Sequence, residues 1–217
     1  MVSGRTTPTR TVLCFGDSNT WGHLPPDGVR IGRWKRWPGV LQLELGDDVY
    51  VIEEGLRGRT TVFEDPFTPG RNGLAALPML LETHAPLDAV VILLGTNDLF
   101  LPEHPNAYQA AVGVGAMVEL VRARAGGQGE APPAILVVAP PPLGPIGPWE
   151  AVSPSARQAS AAFGEAFRWI TGELGVSLVD LGEHIASSPV DGIHFEVVDH
   201  AVVGRVVTDA LRPMLGL

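Results

Sequence analysis

The sequence predicts one α/β domain, built as a three-layer α/β/α sandwich around a five-stranded parallel sheet. Five short, almost continuously apolar runs recur along the 217 residues, and segments with helical spacing separate them. Strands that are apolar throughout are typical of parallel sheets covered on both faces. Regular alternation of strand and helix gives right-handed crossover units, which place helices on both sides of the sheet.

The strand-like runs are short and rich in β-branched residues. They are TVLCF (11–15), VYVIEE (49–54), LDAVVILLG (87–95), AILVVA (134–139) and VSLVDL (176–181). Two sets of apolar residues between and after them recur at i, i+3, i+4 and i+7. These are Val114, Met117, Val118 and Val121, and then Val203, Val206, Val207 and Ala210.

Capping signals bound two of the predicted helices. Two arginines followed by two glycines in residues 122–127 predict the end of the first helix. Ser153 and Pro154 predict the N-cap and first turn of another helix, which begins near residue 154.

A proline-rich stretch surrounds and follows the fourth predicted strand. Seven of the 20 prolines fall between Pro132 and Pro148, which is typical of a linker or of a stiff loop. We favour a stiff loop over the site, because the elements on both sides continue the same sheet. The domain then spans residues 1–217, with residues 1–10 as a flexible N-terminal extension.

Composition and charge exclude several classes of function. With 15 basic and 24 acidic residues the formal net charge is −9, which argues against a nucleic-acid or anionic-membrane partner. Cys14 is the only cysteine, so neither an intrachain disulfide nor a cysteine metal site can form. The polar N-terminus and the short TVLCF run match no secretory or membrane-spanning segment, so a cytoplasmic protein is expected.

Polar residues follow the first three strands and precede the last helix. The segments are GDS after the first strand (16–18), EEGLRGRTT (53–61), LLGTNDL (93–99) and DGIHF (191–195). Sites in parallel sheets form beyond the carboxyl ends of the strands, so these loops should open on one edge.

The first and last of these segments contain the groups of a nucleophilic site. A serine hydroxyl needs a base, and histidine titrates near neutral pH, so His194 is the candidate base for Ser18. Asp191 lies within one turn of His194, where it could hold the imidazole tautomer and stabilise the imidazolium. Taken singly, Ser18 would more often be a capping serine and His194 a surface histidine. Their joint occurrence favours catalysis.

Three donors are available for the negative oxygen of a tetrahedral intermediate. They are the backbone N–H of Ser18, the backbone N–H of Gly58 and the side-chain amide of Asn97. Glycine at 58 lets a substrate oxygen approach the main chain, and asparagine supplies donors without a competing charge. Taken singly, Gly58 would be a turn glycine and Asn97 a turn or cap residue.

The four blocks together resemble the SGNH (GDSL-type) hydrolases, in the order and loop context of that family. The longer segments FGDSNTWG, VIEEGLRGRTT, LDAVVILLGTND, PPPL and VDGIHF are similar to one branch, the arylesterases and acyltransferases with perhydrolase activity. Arg57 and residues 23–37 depart from that branch.

The resemblance implies a flavodoxin-like fold and hydrolysis of short-chain acyl esters through an acyl-enzyme. Ser18, Asp191 and His194 would form the triad, with Ser18, Gly58 and Asn97 as oxyanion donors. It also implies acyl transfer to alcohols or peroxide, and a homo-oligomer, up to an octamer, whose neighbouring subunits narrow the site. A carbohydrate acetylesterase, a thioesterase or lysophospholipase, and a non-catalytic α/β binding domain are the alternatives.

Four further residues are candidates for the substrate pocket: Asp17, Trp21, His23 and Thr96. The remaining histidines lack ligand spacing and are interpreted as structural or surface groups, so no metal is predicted. GxGxxG and P-loop motifs are absent, which argues against a nucleotide, and no cofactor is predicted. Trp34 and Trp37 could serve a site mouth, a subunit contact or core packing.

Overall fold

The computed structural model describes residues 10–124 and 131–217. Five parallel strands form the main sheet, in the order β4-β1-β5-β6-β7. Their bounds are β1 Arg10–Gly16, β4 Val49–Gly55, β5 Ala89–Leu93, β6 Ala134–Ala139 and β7 Ser177–Asp180. A small antiparallel hairpin, β2 His23–Leu24 with β3 Val29–Arg30, follows β1. Counting only the main strands, the order is 2-1-3-4-5, which confirms the flavodoxin-like, doubly wound prediction.

Eight α-helices connect and cover the described strands. They are α1 Ser18–Trp21, α2 Trp37–Leu45, α3 Gly73–His84, α4 Ala107–Arg124, α5 Trp149–Val152, α6 Ala156–Ser160, α7 Phe163–Leu174 and α8 Val197–Leu215. Short 3-10 helices cover Arg33–Lys35, Asn97–Phe100 and Leu181–Glu183. Of these described helices, none has both the length and the apolar character needed to cross a bilayer.

The two faces of the sheet bury separate apolar cores. Leu13 and Phe15 of β1 join the core under α3, α4 and α7, whereas Val12 and Cys14 face the core under α2 and α8. Successive residues of a strand point to opposite faces, so burial of both faces requires a continuous apolar run. This is the physical origin of the pattern in the sequence, and the three-layer prediction is confirmed.

The predicted elements occur with shifted ends. The fourth strand has the predicted bounds, and the others shift at one or both ends by one or two residues. Arg10 opens β1, so the proposed flexible extension is corrected by one residue, and residues 1–9 lie outside the described residues. The glycines expected to end α4 also lie outside them.

The helix predicted to begin near residue 154 is corrected. Ser153 is the C-cap of α5, and its backbone N–H donates to the carbonyl oxygen of Trp149 at 2.8 Å. The next helix, α6, begins at Ala156 and is separate from α7. Ser153 has φ −135° and ψ 73°, so its backbone ends one helix instead of opening another.

The proline loop supports the site from the side. The backbone N–H of Gly144 donates to the carbonyl oxygen of Gly192 at 2.8 Å, and the hydroxyl of Ser187 donates to that of Pro142 at 3.0 Å. Leu143 and Ile146 anchor the loop in the core. The loop therefore contacts residues 187–192, which precede His194 in the sequence, and burial of its apolar side chains holds it in place.

A buried polar contact joins the loops after β4 and β5. Asp98 is fully buried, and its carboxyl oxygens accept from the backbone N–H of Thr61 at 2.8 Å and from the Thr61 hydroxyl at 2.5 Å. Burial raises the pKa of Asp98 to about 7, although the contacts with Thr61 lower it. Gly58 and Asn97 stand on these two loops, so the contact fixes their separation.

Gly204→Ala should destabilise the protein, whereas Gly172→Ala should stabilise it. A Cβ at residue 204 of α8 would lie 2.6 Å from Cβ of Val40 in α2, so the helices must separate. Overpacking of this kind costs about 1–3 kcal/mol. Gly172 of α7 has open space, so alanine should add about 0.5–1 kcal/mol through helix propensity. Urea unfolding measures both, and equal effects would contradict the packing of α2 on α8.

Asp98→Asn should flatten the pH dependence of stability. The folded state binds the Asp98 proton more tightly than the unfolded chain, whose aspartates titrate near 4. Stability should therefore fall as pH rises from about 4 to about 7, and asparagine removes this loss, worth at least about 1 kcal/mol. Urea unfolding at pH 5 and pH 7 measures it, with exposed Asp47→Asn as the control. Identical pH dependence in Asp98→Asn and wild type would contradict the raised pKa.

Candidate active site

Ser18 stands at the turn between β1 and α1. Asp17 is the N-cap of α1, and its Oδ1 accepts from the backbone N–H of Asn19 at 2.9 Å. A Cβ on Gly16 would lie 2.1 Å from Oγ1 of Thr20, so only glycine fits this sharp reversal. The turn brings the Ser18 hydroxyl from the end of the buried strand to the wall of a cavity.

The side chains of Ser18, His194 and Asp191 form a continuous hydrogen-bonded chain. Nε2 of His194 lies 3.0 Å from Oγ of Ser18, and Nδ1 of His194 lies 2.6 Å from Oδ2 of Asp191. The structure therefore brings together three predicted residues separated by up to 176 positions. The distance from Nε2 to Oγ is within the range in which a proton can pass from the hydroxyl to the imidazole, and the bond from Nδ1 to Asp191 orients the ring.

Asn19 holds the histidine loop against the serine turn. Its Oδ1 accepts from the backbone N–H of Phe195 at 3.1 Å, next to His194 in the chain. The backbone N–H of Ser188 also donates to the carbonyl oxygen of His194 at 2.8 Å. Sequence reasoning missed this role of Asn19, although the residue lies within the quoted block GDSN.

Asp191 stays ionised at neutral pH. Burial acts to raise the pKa of its carboxyl group, but hydrogen bonds from the His194 ring and from the backbone N–H groups of His194 and Ile193 lower the pKa to about 2. A permanent negative charge beside Nδ1 favours the tautomer that leaves Nε2 free to accept the Ser18 proton.

The predicted oxyanion donors share one cavity with the serine. Ser18, Gly58 and Asn97 all line it, and Gly58 has a φ of +74°, which favours glycine. Nδ2 of Asn97 donates to the carbonyl oxygen of Arg59 at 3.0 Å and to Oδ2 of Asp17 at 3.3 Å. The longer bond is the weaker one, so an oxyanion could share that hydrogen.

Arg59 ties the ends of β1 and β4 together beneath the cavity. Its Nη1 donates to the carbonyl oxygen of Gly16 at 2.8 Å and also to that of Glu54, and its guanidinium lies 4.2 Å from the ring centre of Phe15. Burial lowers its pKa to about 10, so it remains charged. Sequence analysis did not identify this role of Arg59. The position of an arginine directly after Gly58, a candidate oxyanion donor, could have indicated it.

The cavity has a volume of about 460 Å³, and one of the four predicted pocket residues, His23, is among the residues that line it. Asp17 and Thr96 are buried at the N-cap positions of two short helices, and only Asp17 makes a side-chain capping bond. The ring of Trp21 lies against two guanidinium groups, with Cζ of Arg30 5.1 Å and Cζ of Arg57 4.9 Å from the ring centre. Cation–π attraction holds the ring there.

His23 stacks on His194. The ring centres are 3.8 Å apart and the ring planes differ by 11°. Burial, together with the neighbouring charge of His194, lowers the pKa of His23 to about 4, so this ring is neutral at physiological pH. It forms an uncharged wall against one face of the candidate base.

His23, Asp191 and His194 are also the one group of possible metal ligands among the described residues. Their ligand atoms lie within 4.8 Å of one another. Stacked imidazoles direct their in-plane lone pairs side by side rather than toward one ion, and Asp191 already accepts from His194. This arrangement suits proton transfer better than metal coordination.

The other aromatic residues divide between core and surface. Trp37 is fully buried, and its Nε1 donates to Oγ1 of Thr20 at 3.3 Å, so core packing is its role. Trp34 is exposed beside Arg33. Trp149 is half exposed and lines the cavity, with its ring edge-on to Phe100.

Several solved structures are similar over nearly the whole chain, including the following two. One is a carbohydrate acetylesterase family member from Sinorhizobium meliloti, with 39% identity, a TM-score of 0.90, and coverage of 96% of this chain and 100% of that one. The other is the native aryl esterase of M. smegmatis, with 39% identity, a TM-score of 0.90, and coverage of 95% and 100%.

A curated relative and a family also match. A Vibrio mimicus protein described as an arylesterase is 38% identical over 100 residues, which span 45% of this chain and only 42% of that protein's length. Residues 14–198 match the GDSL-like Lipase/Acylhydrolase family, a range that runs from β1 into α8 and includes every loop of the candidate site. The chain therefore belongs to the GDSL-like lipase/acylhydrolase family.

Proposed function

We propose that the protein is a serine esterase that hydrolyses short-chain acyl esters through an acyl-enzyme. The observation that carries the proposal is the chain of short contacts from Ser18 through His194 to Asp191. Family membership and the similarity to esterase structures support the same reaction class.

Acylation would begin with His194 as general base. Nε2 takes the proton of the Ser18 hydroxyl while Oγ attacks the ester carbonyl carbon, and Asp191 stabilises the resulting imidazolium. The tetrahedral intermediate collapses when Nε2 returns the proton to the leaving alkoxide or phenoxide. The alcohol departs and the acyl group remains on Ser18.

Water would then complete the cycle by the same steps. His194 removes a proton from water, the hydroxide attacks the acyl carbon, and Ser18 recovers its proton as the acid leaves. In both halves the negative oxygen would face the N–H groups of Ser18 and Gly58 and the Asn97 amide. One such donor typically contributes about 100- to 1,000-fold to turnover.

The cavity and one relative favour a second candidate, a carbohydrate acetylesterase. Phe67 is 81% exposed and Trp149 is 50% exposed, and both line the cavity. Flat aromatic surfaces of this kind suit the apolar faces of sugar rings, and a similar structure is described as a carbohydrate acetylesterase family member. The proposed chemistry at Ser18 is the same whether the alcohol part of the ester is a phenol or a sugar.

Acyl transfer to alcohols or peroxide, a homo-oligomer and a cytoplasmic location stay predictions. The exposed aromatic rings at the cavity rim are compatible with a neighbouring subunit that narrows the entrance. Such a subunit would exclude water, and acyl transfer in water needs that exclusion.

Ser18→Ala and His194→Ala should abolish hydrolysis of p-nitrophenyl acetate, because each removes a group that forms or breaks a bond. Asp191→Asn should lower kcat by about 10⁴-fold, since the amide favours the wrong tautomer of His194. Release of p-nitrophenol measures all three, and the exposed His184→Ala is the matched control for loss of a histidine.

A fluorophosphonate probe completes this test. The wild type should be labelled at Ser18, and Ser18→Ala should not be labelled. Normal turnover by folded Ser18→Ala, or absence of labelling in the wild type, would contradict the esterase proposal and favour the silent binding domain.

The acyl chain length and the alcohol part should separate the candidate substrates. We expect kcat/KM for p-nitrophenyl esters to fall by at least about tenfold from acetate to octanoate, as the proposed preference for short acyl chains requires. Acetylated xylose assayed beside them tests the carbohydrate candidate. A preference for octanoate would instead indicate a thioesterase or lysophospholipase.

A further inference from the structure

Two arginines without carboxylate partners line the same cavity as Ser18. Arg57 and Arg71 both belong to its wall. Among the described residues neither forms a salt bridge. Arg30, Arg59, Arg205 and Arg212 form none either, but of these six arginines only Arg57 and Arg71 line the cavity. Seven other described arginines do form salt bridges. Those paired with carboxylates are Arg10, Arg33, Arg36, Arg122, Arg124, Arg157 and Arg168. In a chain of formal net charge −9, two uncompensated cations beside a nucleophile require an explanation.

Arg71 lies against the candidate oxyanion donor. A Cβ built on Gly58 would be 3.4 Å from Nε and 3.6 Å from Cδ of Arg71, so the guanidinium group flanks that backbone. The carbonyl oxygen of Arg71 accepts from the backbone N–H of Thr60 at 3.0 Å and from the Thr60 hydroxyl at 3.1 Å. These bonds hold the backbone of Arg71 against Thr60, which lies two residues after Gly58 in the sequence.

Arg57 directly precedes Gly58, the candidate oxyanion donor, in the sequence. Its guanidinium lies over the ring of Trp21, 4.9 Å from the ring centre, and this contact directs an otherwise exposed side chain. The positive charge of Arg57 is among the influences that lower the pKa of His23, which stacks on His194. Arg57 lines the same cavity as Ser18 and His194, so its guanidinium group can contact a substrate bound there.

Among the described residues, no carboxylate at the cavity forms a salt bridge with either arginine. Asp65 also lines the cavity, and its Oδ1 accepts from the backbone N–H of Phe67 at 2.8 Å. Asp191 is bonded to His194, and Asp17 is buried beneath the cavity. An arginine guanidinium offers five donors arranged to fit a carboxylate. A negatively charged group of a ligand is therefore a suitable partner for Arg57 and Arg71 in the cavity.

We propose that Arg57 and Arg71 form an anion subsite, and that the preferred substrates are esters that carry a second, free carboxylate. The inference rests on the proposed esterase function. It names the substrate class: a half-ester of a dicarboxylic acid if the carboxylate is on the acyl side, or an ester of a hydroxy acid if it is on the alcohol side. In both, the guanidinium groups bind the carboxylate while the ester carbonyl lies at Ser18.

The test compares charged esters with neutral partners of similar size. The acyl arm uses p-nitrophenyl hemiglutarate against p-nitrophenyl pentanoate, and the alcohol arm uses p-acetoxybenzoate against its methyl ester. Each is measured as kcat/KM at low salt for the wild type, for Arg57→Gln, for Arg71→Gln and for the double variant. Arg57→Lys and Arg71→Lys retain the charge and are the matched controls.

We expect the double variant to lose about tenfold in kcat/KM on at least one charged ester, and less than about twofold on its neutral partner. The lysine variants should retain most of the activity, and added salt should reduce the wild-type preference. The arm that responds identifies the side that carries the charge. Equal changes on charged and neutral esters in both arms, including no change, would overturn the anion subsite.

Failure of the esterase proposal gives a different result. In that case the wild type would hydrolyse no neutral ester, or folded Ser18→Ala would retain activity. The side chain of Arg57 is exposed, so Arg57→Gln should fold normally. A thermal unfolding midpoint equal to that of the wild type establishes that a loss of activity in this variant does not come from misfolding.

Discussion

The parallel register of β1, β4 and β5 is the constraint on which the site depends. Gly16 is aligned with Gly55 on one side and with Leu93 on the other, so three strands end at one level. Each strand ends there, and the loop that follows it supplies one candidate group of the site within a few residues: Ser18, Gly58 or Asn97. Apolar burial on both faces of the sheet fixes this register, because a slip by one residue would exchange the two cores.

Buried polar contacts then fix loops that have little apolar surface of their own. Asp98 joins the second and third loops through Thr61, Asn19 holds the histidine loop, and Arg59 bonds the carbonyl oxygens at two strand ends. Buried polar groups are costly when a partner is lost, so such contacts define one arrangement more sharply than apolar packing does. The site needs that definition, because proton transfer tolerates only small changes in distance.

The fold was accessible from the sequence because strand burial and helix periodicity leave direct patterns. The Ser18, Asp191 and His194 constellation was also accessible, since strand-end loops of a parallel sheet must converge. The side-chain contacts of the loops were less accessible: Trp21 lies close to Ser18 in the sequence, yet its ring contacts the guanidinium groups of Arg30 and Arg57. Side-chain direction in a loop depends on neighbours from distant segments, and no local periodicity encodes them.

The pattern of apolar residues was sufficient to predict the three layers, the motifs identified the groups able to perform acyl chemistry, and the family resemblance implied the flavodoxin-like fold. Three features depended instead on contacts in the folded chain: the stacking of His23 on His194, the contacts of the proline loop with residues 187–192, and the lack of salt bridges at Arg57 and Arg71 in the described cavity. The two sets of features differ in the separation along the sequence of the residues that produce them. Periodicity reports the burial of each residue, whereas contacts between loops are set by rigid elements that bring remote residues within a few ångströms of one another.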